Sequence, residues 1–196
     1  YAARGVDLLL TARREGRLRE LAERLRGRYG VRTEVIAADL TDPAAPGMIR
    51  KAVEMRGLAV DILVNNAGYG MAGTFCGNDW QAHARFLQVM LTAVLELSHL
   101  FAGDMRMRRY GRIVNVASLA GHMPGTAGHT LYAPVKSALI RFSEGLGVEL
   151  HGDGVHVCAL CPGFTYSEFH DVVGTRAQVA RLPRIMWQDA LTVARQ

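Results

Sequence analysis

The segment Arg112-Ile-Val-Asn-Val-Ala-Ser118, carried on to Tyr132-Ala-Pro-Val-Lys136, decides the fold. Arg112–Val116 reads as a short buried strand and the run after Pro134 as a helix, joined by a loop of glycine, alanine and small polar residues. With a helix opening at Ala133, the spacing of Tyr132 and Lys136 puts phenol and ammonium on one face, one turn apart. A nearby lysine charge stabilises a phenolate, so such a pair can trade a proton with a carbonyl or alcohol near neutrality. Ser118 ends the strand, and a loop that folds back would let it hydrogen-bond the same substrate oxygen. A tyrosine and a lysine one turn apart also mark ordinary half-exposed helix faces, so the surrounding chain has to carry the reading.

Outward from that point, apolar runs alternate with helical periodicity. Strands are expected at Val6–Thr11, Val31–Ala37, Val60–Asn65, Arg112–Val116 and Val155–Leu160, and helices at Arg14–Tyr29, Met48–Arg56, Trp80–Ala102 and Pro134–Leu150. In the first helix Leu18, Leu21, Ala22 and Leu25 share a face, and Gly30 follows as a stop. Strand and helix in strict alternation mean a doubly wound parallel α/β sheet with helices on both faces. No repeat, linker or low-complexity tract divides the chain, so its 196 residues, 49% of them hydrophobic, read as one domain.

Four segments, Asn65-Asn-Ala-Gly68, Gly111-Arg-Ile-Val-Asn-Val-Ala-Ser118, Tyr132-Ala-Pro-Val-Lys136 and Cys161-Pro-Gly-Phe-Thr165, resemble in order and spacing the short-chain dehydrogenase/reductase family. The resemblance covers nearly the whole chain. It implies a Rossmann-type NAD(P)-binding domain that transfers hydride between NADP(H) and a carbonyl or alcohol, with Ser118, Tyr132 and Lys136 catalytic. It further implies that Asp39 and Leu40 border the adenine, and that Asn66, Ala67 and Gly68 let the backbone approach the adenosine ribose. Pro162, Gly163 and Thr165, with Tyr132 and Lys136, complete the implied cofactor contacts. Asn65 itself reads as a tie between neighbouring strands. In the family the helices corresponding to Trp80–Ala102 and Pro134–Leu150 pair between subunits, which implies a homodimer or homotetramer; Leu95, Leu97, Phe101, Leu139, Phe142 and Leu146 would serve that surface.

The chain departs from the family pattern in two ways. The glycine-rich turn T-G-x-x-x-G-x-G and its strand are not among the 196 residues, and Tyr1–Gly5 reads as the tail of the helix that follows that turn. Asp189–Gln196 reads as the opening of a helix, without the strand the family places after it. The domain is therefore expected to be truncated at both ends. Second, Met90 stands where the family has an asparagine that holds a water relaying protons to the lysine. A thioether is a weak acceptor and no substitute for a carbonyl oxygen, so either the relay is impaired or water reaches Lys136 by another route while Met90 fills core.

Cofactor choice is read at Thr11-Ala-Arg-Arg14. Arginines at a strand end suit the 2′-phosphate of NADP, where a carboxylate would suit NAD, so Arg13 and Arg14 favour NADP; the same pair could simply open a solvated helix. The formal net charge of +5 comes largely from arginines interleaved with glutamates or gathered at Arg106–Arg112. These stretches carry almost no aromatics for base stacking, which argues against a nucleic-acid partner.

Three cysteines fit a reducing, cytoplasmic setting, and Cys158 and Cys161 read as buried free thiols. His83, His99, His151 and His156 show no metal spacing. Phe86–Ala102 is interrupted by polar residues and reads as a packed helix rather than a membrane span.

Substrate walls are sought at His122, Met123 and His129. An apolar lid is expected from Phe164, Tyr166, Phe169, Val172, Val173, Leu182, Ile185, Met186 and Trp187, which could equally pack against the sheet. Two functional classes stay open: a reductase of an apolar ketone such as a 3-oxoacyl thioester, and a catalytically impaired relative that keeps the scaffold for interaction.

Overall fold

Leu8–Ala12 forms β1 and Thr33–Ala37 forms β2, paired in parallel from Leu8 opposite Thr33 to Ala12 opposite Ala37. A parallel pair needs a crossover, and Glu15–Tyr29 supplies it as α1, burying Leu18 and Ala22. Ala45–Met55 forms α2, starting earlier than the expected Met48. Pro46 explains this, because proline fits the first helical turn, where its missing N–H would have had no partner. These elements lie in the compact unit Tyr1–Ala59; a second unit spans Val60–Gln196. The structure, a computed structural model, describes residues 1–167 and 183–195. Phe169, Val172, Val173 and Leu182 of the expected lid lie outside the described residues.

In the second unit Ile62–Asn65 (β3), Gly111–Val116 (β4) and Val155–Leu160 (β5) form a parallel sheet in the order β3-β4-β5. Trp80–Leu87 (α3), Ala93–Met107 (α4) and Tyr132–Leu150 (α5) provide its helices. The expected helix at Trp80–Ala102 is thus longer, and it contains a π-helical turn at Gln88–Thr92, where the Ala93 N–H donates to the Gln88 carbonyl. By length and composition Trp80–Met107 could cross a membrane, but half of its apolar window is buried within the protein.

A buried polar ladder ties strands to helices. Asn65 Nδ2 donates to Asn115 Oδ1 at 2.8 Å and to Ser98 Oγ at 3.1 Å, and Asn115 Nδ2 donates to Ser143 Oγ at 2.9 Å. Ser98 and Ser143 pass their hydroxyl protons to the Val94 and Leu139 carbonyls of their own helices. Asn65 is therefore the inter-strand tie expected of it. Around this ladder Val94, Ala117, Leu139 and Ile140 form one apolar cluster, and Phe86, Met90 and Val135 another.

Some expectations are corrected. Cys158 is exposed and Cys161 half-exposed, because β5 alternates and sends His156 and Cys158 to its open face. Leu97, Phe101 and Leu139 are buried in the unit's own core, while Leu95, Phe142 and Leu146 are half-buried. A short parallel pair, Phe164–Tyr166 (β6) with Trp187–Asp189 (β7), was not expected, whereas the helix Ala190–Arg195 (α6) after it is the one expected to open near Asp189. Its rings hold it together: Trp187 stacks on Tyr166 with centroids 4.7 Å apart.

The arginine-rich stretches are largely solvated ion pairs. Arg106 meets Asp153 at 2.6 Å, Arg108 meets Asp61 at 3.2 Å, and Arg19 and Arg26 pair with Glu15 and Glu23 on α1.

Candidate active site

Beyond β4 the chain stays in register with β5: the Ala117 N–H donates to the Leu160 carbonyl at 2.8 Å and the Leu119 N–H to the Pro162 carbonyl at 3.0 Å. Ser118 sits between these two bonds, so its backbone is fixed. Its Oγ accepts from the Ala120 N–H at 3.2 Å and caps the 3₁₀ turn Leu119–His122. That turn lies directly on α5. A Cβ on Gly121 would fall 2.8 Å from the Lys136 carbonyl carbon and 2.9 Å from the Ser137 nitrogen. Only glycine permits this approach, and the approach brings Ser118 to the first turn of α5.

Tyr132 opens α5, its N–H donating to the His129 carbonyl at 3.0 Å, and its phenol shares a hydrogen bond with Ser118. Lys136 is buried at 6% exposure one turn further on, and its Nζ donates to the Val116 carbonyl at 2.6 Å. The three residues singled out from the sequence are therefore together.

Their electrostatics differ from the expectation. Burial pushes the Tyr132 phenol above its ordinary 10.0, and the Ser118 hydrogen bond opposes this only in part. Burial also brings the Lys136 ammonium down to about 8, with Cys161 pulling the other way. The ammonium lies 5.8 Å from the Tyr132 ring centroid and is tied to Val116. Desolvation is thus the largest influence on both groups, and it favours the neutral phenol and the neutral amine.

Asn66, Ala67 and Gly68 form an exposed turn after β3, with the Asn66 N–H on the Val64 carbonyl at 3.1 Å. Pro162 and Gly163 follow β5, and Thr165 Oγ1 donates to the Gly163 carbonyl at 3.1 Å. Beside Tyr132 a cleft is lined by Met71, Thr74, Phe75, His83, His129 and Leu131. His129 lines this cleft. His122 and Met123 do not: both are exposed outside that lining. His83, read from the sequence only as a non-ligand, packs flat on Phe75 with ring centroids 4.6 Å apart. Val116, Gly121 and Cys161 were not singled out as site residues, although Val116 and Cys161 stand in family-like segments and Gly121 opens the loop of small residues.

In the Tyr1–Ala59 unit, Arg13 and Arg14 are exposed between β1 and α1. Asp39 beyond β2 accepts from the Thr41 N–H at 3.0 Å and hydroxyl at 2.9 Å. The Thr41 amide, then its hydroxyl and the Arg13 charge, hold the Asp39 carboxyl below its usual range.

Residues 1–177 match the short chain dehydrogenase family profile. The chain is 33% identical over 165 residues to oxidoreductase UcpA of Escherichia coli K12, covering 84% of this chain and 62% of that protein. It is 35% identical over 138 residues to the ketoacyl reductase HetN of Nostoc, covering 70% of this chain and 47% of HetN. A short-chain dehydrogenase from Sphingobium yanoikuyae, solved with NADPH, superposes with a TM-score of 0.86 at 35% identity, over 95% of this chain and 71% of that one. The chain thus spans about three fifths of the length of UcpA. Carrying the Ser118, Tyr132 and Lys136 arrangement on parallel α/β elements that match over most of its length, the chain belongs to the short-chain dehydrogenase family.

Proposed function

We propose that the complete protein is an NADP-dependent reductase of an apolar ketone, with a 3-oxoacyl thioester as the first substrate class to test. The observation that carries this is the meeting of Ser118, Tyr132 and Lys136 beside a small cleft lined by polar and apolar residues alike. The ketoacyl reductase activity in HetN's name and the NADPH in the Sphingobium structure support the substrate and cofactor classes.

The residues present fit the two ribose ends of the cofactor. Val116 takes one of the three N–H donors of Lys136, and an ammonium with further donors is what a ribose diol requires. Arg13 and Arg14 offer the charge that a 2′-phosphate requires, and the family resemblance assigns further cofactor contacts to Asp39 and Leu40 in the first unit and to Asn66, Ala67, Gly68, Pro162, Gly163 and Thr165 in the second. The glycine-rich turn is not among the 196 residues. NADPH, when bound, supplies the hydride. Tyr132 gives its proton to the substrate oxygen, Ser118 hydrogen-bonds that oxygen and holds the phenol, and the Lys136 charge offsets the phenolate left behind. Half-buried Leu95, Phe142 and Leu146 on α4 and α5 support assembly as a homodimer or homotetramer.

Tyr132→Phe keeps the ring and removes the proton, so ketone-dependent NADPH oxidation should fall by roughly 10² to 10⁴ with NADPH affinity nearly unchanged. Unchanged turnover would leave the second reading, an impaired relative kept for interaction. Met90 at the family's asparagine position favours that second reading.

A further inference from the structure

We propose that Met90 is a positioning residue that holds the Asn66–Tyr69 turn against the catalytic helix, its thioether standing in for an amide oxygen. The proposal rests on the reading above, in which that turn borders the cofactor.

Three observations converge on the sulfur. Met90 Sδ accepts the Tyr69 backbone N–H at 3.2 Å. A Cβ built on Gly68 would lie 3.0 Å from the same sulfur, so the turn presses on the thioether at van der Waals range and glycine is what lets it do so. Met90 is 1% exposed and packs in one cluster with Phe86 and Val135, against which Tyr69 and Tyr132 also lie. The Tyr69 ring meets Phe86 edge-on, centroids 5.5 Å apart at 85°, so Tyr69 is held by both backbone and ring. One buried side chain thus touches the turn proposed to meet the cofactor and the helix that carries the proton donor.

The chemistry explains why methionine suffices here. Its sulfur occupies the δ position, one bond beyond Cγ, which is where an asparagine at position 90 would carry its amide oxygen. A thioether is a weaker acceptor, but a half-buried backbone N–H still gains from even a weak bond over having none. The unbranched side chain also has three rotatable bonds, so the sulfur can follow the turn as a ligand settles. The π-helical turn at Gln88–Thr92 carries Met90 at its centre. Such turns are frequent where a helix must aim a side chain at a site.

The test uses the full-length protein and NADPH as the probe. Met90→Leu keeps apolar bulk and removes the acceptor, so the turn should spend less time in its binding form and the NADPH dissociation constant should rise about threefold to tenfold. KM for NADPH should rise with it, and kcat should fall by less. Met90→Asn restores an acceptor at the δ position and should bind NADPH more tightly than Met90→Leu, although it places a polar amide in the cluster. A filler role would give the opposite ranking, with leucine the better tolerated. Unchanged NADPH affinity in Met90→Leu, beside normal binding by the unsubstituted protein, overturns the assignment alone. Failure of the unsubstituted protein to bind NADPH or NADH overturns the functional reading and this role with it. Should Met90→Leu fail to fold, amide hydrogen exchange on the unsubstituted protein decides: a Tyr69 amide exchanging as fast as solvent-exposed loop amides would remove the bond on which the proposal stands.

Discussion

The Lys136 ammonium donates to the Val116 carbonyl at 2.6 Å, so the end of β4 holds a buried charge at the first turn of α5. Burial places its titration near 8 against 10.5 for a free side chain. Between those values the unfolded chain binds more protons than the folded one, so stability rises with pH through that window, by up to about 3 kcal/mol. Lys136→Met has no such limb. Chemical denaturation of both proteins below and above pH 8 should show the wild type gaining relative to the variant as pH rises, and a pH-independent difference would refute the burial argument. NADPH affinity that depends on the ammonium should weaken over the same range.

Gly121 is where the serine-bearing turn rests on the α5 backbone. Gly121→Ala places a methyl within 2.9 Å of backbone atoms that cannot rotate away. A loss of roughly 1–3 kcal/mol is expected, with turnover falling further because Ser118 is displaced from Tyr132. Thermal denaturation and steady-state kinetics measure both; an alanine variant with wild-type turnover would show that the turn does not position Ser118.

Removing the Asn115 side chain takes one partner each from the Asn65 amide, which keeps Ser98, and from the Ser143 hydroxyl, which keeps the Leu139 carbonyl. Asn115→Ala should cost roughly 2–4 kcal/mol. Adding Asn65→Ala should cost much less than a second independent loss, since the two residues share one ladder. Additive losses in the double variant would mean that the ladder is not a coupled unit.

Cofactor preference is expected to reside in Arg13 and Arg14. Replacing both with alanine should weaken NADPH by about tenfold to a hundredfold and leave NADH unchanged, because a charge-assisted bond to phosphate is lost only for the phosphorylated cofactor. Parallel titrations with the two nucleotides decide it, and an equal effect on both would move the preference elsewhere.

The parts of the fold legible in sequence were those written as periodicity. Val155–Leu160 is legible to the residue because a run apolar but for His156, bounded by Gly154 and Pro162, leaves little choice. Ser118, Tyr132 and Lys136 were legible because strand end and helix start fix where they sit. The Gln88–Thr92 π turn was not, since a shift from four to five residues in one helical bond leaves no mark on composition. The thiol of Cys158 was misread because the run Val-Cys-Ala-Leu looks apolar throughout, while the strand turns alternate residues outward. The desolvation of phenol and ammonium is not legible in spacing, which gives proximity along a helix but not what covers both groups.

The π turn at Gln88–Thr92 sets a phase. A regular helix advances about 100° per residue, so one residue fitted into a widened turn leaves the segments on either side out of step by about that angle relative to a continuous α-helix. Trp80–Leu87 and Ala93–Met107 thus obey two separate registers. His83 and Phe86 reach the interior in the first, and Val94, Leu97 and Phe101 in the second. Deleting any one residue between 88 and 92 would restore an ordinary helix and swing His83 and Phe86 a quarter-turn or more away from the Tyr132 cleft, while α4 kept its seat on the sheet. Single-residue length changes in this turn would therefore act as a rotary adjustment of one wall of the cleft.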